Sequence, residues 1–300
     1  MDIAALVNCL SSSACVITQA TGGLIIGMLL FLVAAGLTLI FGVLKVINFT
    51  HGSFYMLGAY FALTIFKLTD SYAITVLGAA LATGLVGLVF ERLFISRVYG
   101  HNVLMQLLVC YGFILIFDDV VKIVWGPEFK SMGMPAIFQV PPLFIAGGVV
   151  PPFYLFLVIV TMAIGAALWF VIEKTRFGKT VRAAAHNPGM VSALGINTGV
   201  LFGLVFALGG LLAGFAGALA APVRSLTPGM GFSILIESFI VTVIGGMGSI
   251  VGAFVGSLMI GLIRTFGSLG FPLFTEGLMY LFMVIILIAK PTGLFGKELA

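Results

Sequence analysis

The sequence predicts an all-α, polytopic integral membrane protein with about eight transmembrane segments and discontinuous or re-entrant glycine-rich elements. Of the 300 residues, 61% are hydrophobic and only 8% are charged, whereas a soluble domain carries about 25% charged residues. Apolar runs of membrane length recur along the chain, and in lipid a spanning helix satisfies its own backbone hydrogen bonds. The 39 glycines allow helices to approach closely or to break near a site.

The chain divides into an N-terminal segment, residues 1–21, a transmembrane domain, residues 22–295, and a short tail, residues 296–300. The first segment has no basic residue, which predicts an extracytoplasmic position. Cys9 and Cys15 would pair if this segment faces an oxidising compartment, and that question stays open. The eight predicted apolar segments are Gly22–Leu44, Phe54–Leu68, Tyr72–Phe90, Val103–Phe117, Pro152–Ile172, Val200–Ala221, Ile234–Ile263 and Phe271–Ala289.

The first two segments are separated by a polar break with the sequence NFTHGS. Its polar side chains are Asn48, Thr50, His51 and Ser53. Two helices around such a break are typical of a discontinuous helix beside a transport pathway. The alternative is an ordinary cytoplasmic turn in which Asn48 caps a helix. We predict that these four residues lie along a substrate pathway.

A second break, Gly245, Gly246, Gly248 and Ser249, interrupts the apolar run near the C-terminus. Paired breaks in the two halves of a transporter point to a site between repeats. Neither break carries a charged residue, so a site there suits a neutral or hydrophobic group rather than a bare ion. We therefore add these four residues to the predicted pathway.

Glycines at helical spacing predict close helix contacts elsewhere. Gly210 and Gly214 form a GxxxG pair, and Gly248, Gly252 and Gly256 recur every four residues. Such spacing leaves a ridge without side chains for a neighbouring helix.

The side of the C-terminal tail stays open. Three apolar runs follow the polar segment described next, which would place the tail outside, whereas Lys290 and Lys297 favour the cytoplasm. A re-entrant Ile234–Ile263 run, or a different boundary, would reconcile the two. At the opposite interface Asp118 and Lys122 have the i,i+4 spacing of an ion pair.

The longest polar stretch, residues 173–197, lies between two apolar runs. Its basic residues predict a cytoplasmic position, and its alanines predict a short helix that ends at Asn187–Pro188. We predict that this helix docks on a partner, with Arg182 as a polar anchor. The predicted docking residues are Lys179, Arg182, Ala183, Ala184, Ala185, Asn187 and Pro188. The alternative is that the basic residues only fix topology.

Enzyme chemistry is not indicated, and we expect no catalytic, metal or cofactor site. Gly178–Thr180 contains the GKT of a phosphate loop, but Glu173 occupies the place of the required glycine. Glu237 is explained by the helix dipole and Glu276 by a loop end. The lack of an ionisable mid-membrane site favours an energy source outside this chain.

Three motifs in order, NFTHGSFYMLGAY, GKTVRAAAHNPGMVSALGIN and IGGMGSIVGAFVGSLMIG, resemble the permease subunits of branched-chain amino acid ABC importers, of the LivH type. The resemblance runs from about Gly22 to Phe295. It implies a bacterial inner-membrane complex with a second, LivM-like permease, two cytoplasmic ATPases and an extracytoplasmic solute-binding protein. It also makes residues 178–197 the coupling helix region. Membrane lipid, and no nucleic acid, is the expected environment.

One departure concerns the solute. Thr50 stands where the family pattern has a small apolar residue, and related permeases import urea or short amides. The alternatives that remain are a urea or amide permease, a self-sufficient secondary carrier or facilitator, and a membrane scaffold. Neighbouring genes for an ATPase and a binding protein would distinguish the importer from the last two.

Overall fold

A computed structural model describes residues 3–296 of the chain. Within that range it contains twelve α-helices and one two-stranded antiparallel β-hairpin, so the all-α prediction is confirmed. Six of the described helices are long and apolar enough to cross a bilayer. The elements are α1 (Ile3–Ser11), α2 (Ser13–Leu44), α3 (His51–Thr69), α4 (Tyr72–Leu93), α5 (Val103–Trp125), β1 (Leu143–Ile145), β2 (Gly148–Val150), α6 (Pro152–Lys174), α7 (Arg176–His186), α8 (Pro188–Ala193), α9 (Thr198–Ala220), α10 (Met230–Gly245), α11 (Ile250–Gly270) and α12 (Thr275–Ala289).

Helix α2 forms the centre of the bundle. Its residues from Met28 to Ile40 are buried without a break, which is the environment of a helix that is apolar on all sides. Helices α3, α9, α10 and α11 pack around it, and α4 packs on α3 and α9. Helices α6 and α12 are largely exposed, so their apolar surface faces lipid or a partner.

The two ends of the bundle are distinguished by α7 and by the β-hairpin. The hairpin lies against the start of α2, where the backbone N–H of Val149 donates to the hydroxyl of Thr18 at 3.1 Å. The sequence did not predict this hairpin inside the proline-rich loop 126–151. We call the two ends the α7 end and the β-hairpin end.

The N-terminal segment differs from the prediction in where its long helix begins, and it answers the question that was left open for its two cysteines. The first long helix begins at Ser13 rather than Gly22, because Ser12 accepts a hydrogen bond from the N–H of Cys15 and caps it there. Cys9 and Cys15 form a disulfide between α1 and α2.

The run Ile234–Ile263 is two antiparallel helices, α10 and α11, with their turn at the α7 end. The tail lies beside that turn, because Leu294 N donates to Ile244 O at 2.8 Å and Phe295 N donates to Gly245 O at 3.0 Å. Four apolar helices therefore follow α8, and the tail returns to the α7 end. This is the same end as the basic segment, as the lysines of the tail predict. Lys297 itself lies outside the described residues.

Glycines bring the helix backbones into contact as predicted for α9. A Cβ on Gly58 would lie 2.6 Å from Cα of Gly214, and one on Gly217 would lie 2.1 Å from the carbonyl oxygen of Tyr55. The predicted α11 ridge is shorter than expected. Gly252 packs on α10, whereas Gly248 lies in the preceding turn with a φ of +92°.

The predicted Asp118–Lys122 pair was wrong. Lys122 pairs with Asp119 instead, at 2.9 Å and three residues away. Asp118 lies close to Gly229, in the loop that joins α9 to α10 at the β-hairpin end.

Candidate functional site

The first break starts α3 deep inside the bundle. His51 Nε2 donates to the carbonyl oxygen of Val33 at 3.0 Å, since a carbonyl only accepts. Val33 lies eleven residues before Leu44, the end of α2, which is about 16 Å along a helix. Residues 45–50 therefore turn back into the bundle before α3 begins. This geometry is that of a discontinuous helix, not of a turn at the surface.

The four polar residues of this break lie together and are buried. Thr50 donates its hydroxyl to the carbonyl of Cys110 at 3.3 Å, and its N–H donates to Asn48 Oδ1 at 3.1 Å. Thr50 is thus occupied by α5 and does not face an open space. Within the described part of the chain, three of their side-chain atoms have no hydrogen-bond partner, namely Asn48 Nδ2, His51 Nδ1 and Ser53 Oγ.

The second break forms the turn between α10 and α11. Ser249 caps α11 by accepting from the N–H of Gly252 at 3.0 Å. A Cβ on Gly246 would lie 2.3 Å from the backbone of Gly296, so the tail covers this turn. Gly245 also approaches Gly252 directly. These glycines serve a compact turn at the α7 end and do not join the polar side chains of the first break.

A small apolar cavity of about 10 Å³ lies between the two breaks. Ile47 borders it from the first break and Met247 from the second. Phe49 stacks on Phe239 beside it, with ring centroids 6.2 Å apart. The remaining lining residues are Leu37, Phe41, Phe239 and Thr242. The two breaks thus meet through their apolar neighbours.

A second cavity, of about 20 Å³, lies nearer the β-hairpin end and joins polar to apolar walls. Arg224, in the loop after α9, lines this cavity together with Tyr55 of α3 and interacts electrostatically with it. The lining residues are Ile26, Leu29, Leu30, Val33, Tyr55, Arg224 and Ile234. None of them was predicted from the sequence as a site residue.

Next to this cavity, Glu237 pairs with Arg264. Glu237 is seven residues into α10 and only 8% exposed, so the helix-dipole explanation was wrong. The expectation that the membrane region lacks an ionisable site was wrong as well. Arg264 within the apolar helix α11 was the available signal, since a charge inside such a helix marks a functional site.

The polar segment forms α7 and α8, fixed to the end of α6. Arg182 donates to the carbonyl of Ile172 and pairs with Glu173 at 3.2 Å. A Cβ on Gly178 would lie 2.0 Å from the Ile172 oxygen. Arg182 therefore makes contacts within the chain, and its side chain remains 41% exposed. Ala184 is buried and is unavailable for docking.

The exposed face of α7 and α8 carries different residues. Lys179, Ala183 and Asn187 are exposed, and Asn187 caps α8 by accepting from the N–H of Met190 at 2.9 Å. Met190 is 66% and Leu194 76% exposed. Of the remaining predicted docking residues, Pro188 is exposed and Ala185 is half-buried. The face combines positive charge with two uncovered apolar side chains.

The sequence is similar to one described family and to three named relatives. The sequence model of the family "Branched-chain amino acid transport system / permease component" matches residues 19–289. The chain is 30% identical to the high-affinity branched-chain amino acid permease BraD of Pseudomonas aeruginosa, over 93% of this chain and 95% of that protein. It is 27% identical to the permease LivH of Escherichia coli K12, over 93% and 95%. It is 28% identical to a probable LivH of Methanocaldococcus jannaschii, over 92% and 91%. No solved structure matches.

Proposed function

The chain belongs to the family of branched-chain amino acid transport permease components, and we propose that it forms the translocation pathway of an ATP-binding-cassette importer for branched-chain and other hydrophobic amino acids. The observation that carries the proposal is the near full-length similarity to BraD, 30% over 93% of the chain. The chain is a multi-pass transport subunit rather than an enzyme, and its proposed location is the bacterial plasma membrane.

The proposed pathway passes the first break. Three buried polar atoms there lack partners, on Asn48, His51 and Ser53, and a buried unsatisfied polar atom costs about 1–3 kcal/mol. Opening a pathway beside them would let water or solute satisfy them. The apolar cavities on either side, at Ile47 and at Val33, suit an aliphatic side chain. The second break, including Gly245 and Ser249, would act as the turn about which α10 and α11 move.

The proposed energy source is a pair of ATPase subunits that dock on the exposed face of α7 and α8. Lys179 supplies charge, Ala183 permits close approach, and Met190 and Leu194 supply apolar contact. Arg182 has a different role from the one predicted, because its hydrogen bonds tie α7 to α6. The α7 end is then cytoplasmic, and the β-hairpin end faces the solute-binding protein. A second, LivM-like permease completes the membrane part.

Uptake into proteoliposomes tests the proposal. The chain would be purified with its partner permease, ATPases and binding protein and supplied with labelled leucine or labelled urea. We expect leucine accumulation that requires ATP inside and binding protein outside. Accumulation of urea but not leucine would contradict the proposed solute. Leucine movement that is independent of ATP and of the ATPase subunits would indicate a self-sufficient carrier.

A further inference from the structure

The cavity between α2, α3 and α10 combines a charged wall with a wall of branched aliphatic side chains. Tyr55 and Arg224 form the charged wall. Ile26, Leu29, Leu30, Val33 and Ile234 form the other. A pathway that recognised only an aliphatic side chain of the solute would need the aliphatic wall alone. The charged wall therefore requires a separate explanation.

Arg224 carries a positive charge that interacts electrostatically with Glu237 but forms no salt bridge with it. Among the described residues, no carboxylate oxygen lies within 4.0 Å of its guanidinium, and its side chain lines the same cavity as Tyr55, with which it interacts electrostatically. Arg224 is partly buried, and an unpaired charge away from water is costly. A planar guanidinium is well suited to a carboxylate, which it binds through two parallel hydrogen bonds.

Glu237 offers the complementary charge. Its Oε1 accepts from Arg264, whereas its Oε2 is buried without a hydrogen-bond partner. Tyr55 interacts electrostatically with Arg224, Glu237 and Arg264 alike, which places all four side chains in one cluster. The cluster therefore offers both a guanidinium, on Arg224, and a carboxylate oxygen, on Glu237, which suits a ligand that carries one anionic and one cationic group.

We propose that this cluster is an α-amino acid binding site within the permease: Arg224 and Tyr55 hold the α-carboxylate, Glu237 Oε2 accepts from the α-ammonium, and the aliphatic wall holds the branched side chain. The proposal rests on the proposed function and deepens it by placing the solute. Arg264 positions Glu237. A cavity of about 20 Å³ holds a water molecule but not an amino acid, so the described conformation is closed and the helices separate to admit the solute.

The test is leucine uptake by the assembled complex at saturating binding protein, in three variants. Arg224→Gln removes the guanidinium, Arg224→Lys keeps the charge without the fork, and Tyr55→Phe removes one hydroxyl. Lys67→Gln is the control, because Lys67 is an exposed cation on the same helix as Tyr55. Losing a charged hydrogen bond weakens binding by about tenfold to a hundredfold. We expect uptake to fall by at least about tenfold in Arg224→Gln, with partial recovery in Arg224→Lys.

The outcomes separate this inference from the proposed function. If the wild-type complex imports leucine and both Arg224→Gln and Tyr55→Phe import it at the wild-type rate, the proposed site is wrong. The proposed importer function would then still hold. A wild-type complex that imports urea but not leucine would overturn both, since urea has no carboxylate. If Arg224→Gln does not assemble, Tyr55→Phe decides, and we expect its uptake to fall severalfold while Lys67→Gln stays at the wild-type rate.

Discussion

Adding one methyl group at Gly217 should damage both stability and transport. A Cβ there would lie 2.1 Å from the carbonyl oxygen of Tyr55 and 2.8 Å from the nitrogen of Ala59, whereas ordinary contact begins at 3.4 Å. Helices α3 and α9 must therefore separate by about 1.3 Å, the difference between 3.4 and 2.1 Å. Overpacking of this kind costs about 1–3 kcal/mol, and it displaces Tyr55 from the cavity that it lines.

Gly217→Ala should be compared with Gly112→Ala on α5. A Cβ on Gly112 meets nothing within 4 Å, and alanine is the better helix former by about 0.5–1 kcal/mol. We expect the melting temperature of the purified complex to fall by several degrees in Gly217→Ala, at about 2–4 °C per kcal/mol, and leucine uptake to fall with it. Gly112→Ala should match wild type. Equal melting temperatures and uptake in the two variants would refute the close-contact argument.

Two further predictions follow from the two ends of the bundle. Ala183→Trp should leave the purified chain stable but weaken ATPase binding in a pull-down, because Ala183 is exposed. Ala184→Trp should destabilise the chain itself, because Ala184 is buried. Normal ATPase binding by Ala183→Trp would contradict the docking face. Cys9 and Cys15 form a disulfide, so a thiol reagent should label these two residues only after reduction. Replacing both cysteines by serine should lower the free energy of unfolding by about 2 kcal/mol. Labelling of Cys9 or Cys15 in the unreduced protein would contradict the pairing.

The sequence was sufficient for the features that depend on local pattern. The break at His51 was predictable because polar residues interrupt an apolar run there. The close contact at Gly214 was predictable because Gly210 and Gly214 are four residues apart on one helix face. The docking residues were predicted less well, because helical spacing does not say which face of α7 is covered. That is why Ala184, which is buried, was predicted as a docking residue together with Ala183, which is exposed.

The charged cluster was missed because it is assembled from distant parts of the chain. Arg224 and Tyr55 are 169 residues apart and belong to a loop and a helix that meet only in the folded bundle. Read along the chain, Arg224 resembles a loop residue at an interface and Tyr55 an ordinary core aromatic. Arg264 was the exception, since its place inside an apolar helix is informative without any structure.

The attachment of α7 to α6 makes α6 a lever. Gly178 and Arg182 hold α7 against the carbonyl of Ile172, so a push on α7 turns α6 as a rigid arm. The arm is 23 residues long, about 35 Å at 1.5 Å per residue, and a tilt of about 10° moves its far end by about 6 Å. That far end continues directly into β2, which rests on the start of α2. If an ATPase docks on α7 as proposed, a force applied at the α7 end would therefore reach the β-hairpin end, where the proposed solute-binding protein would dock.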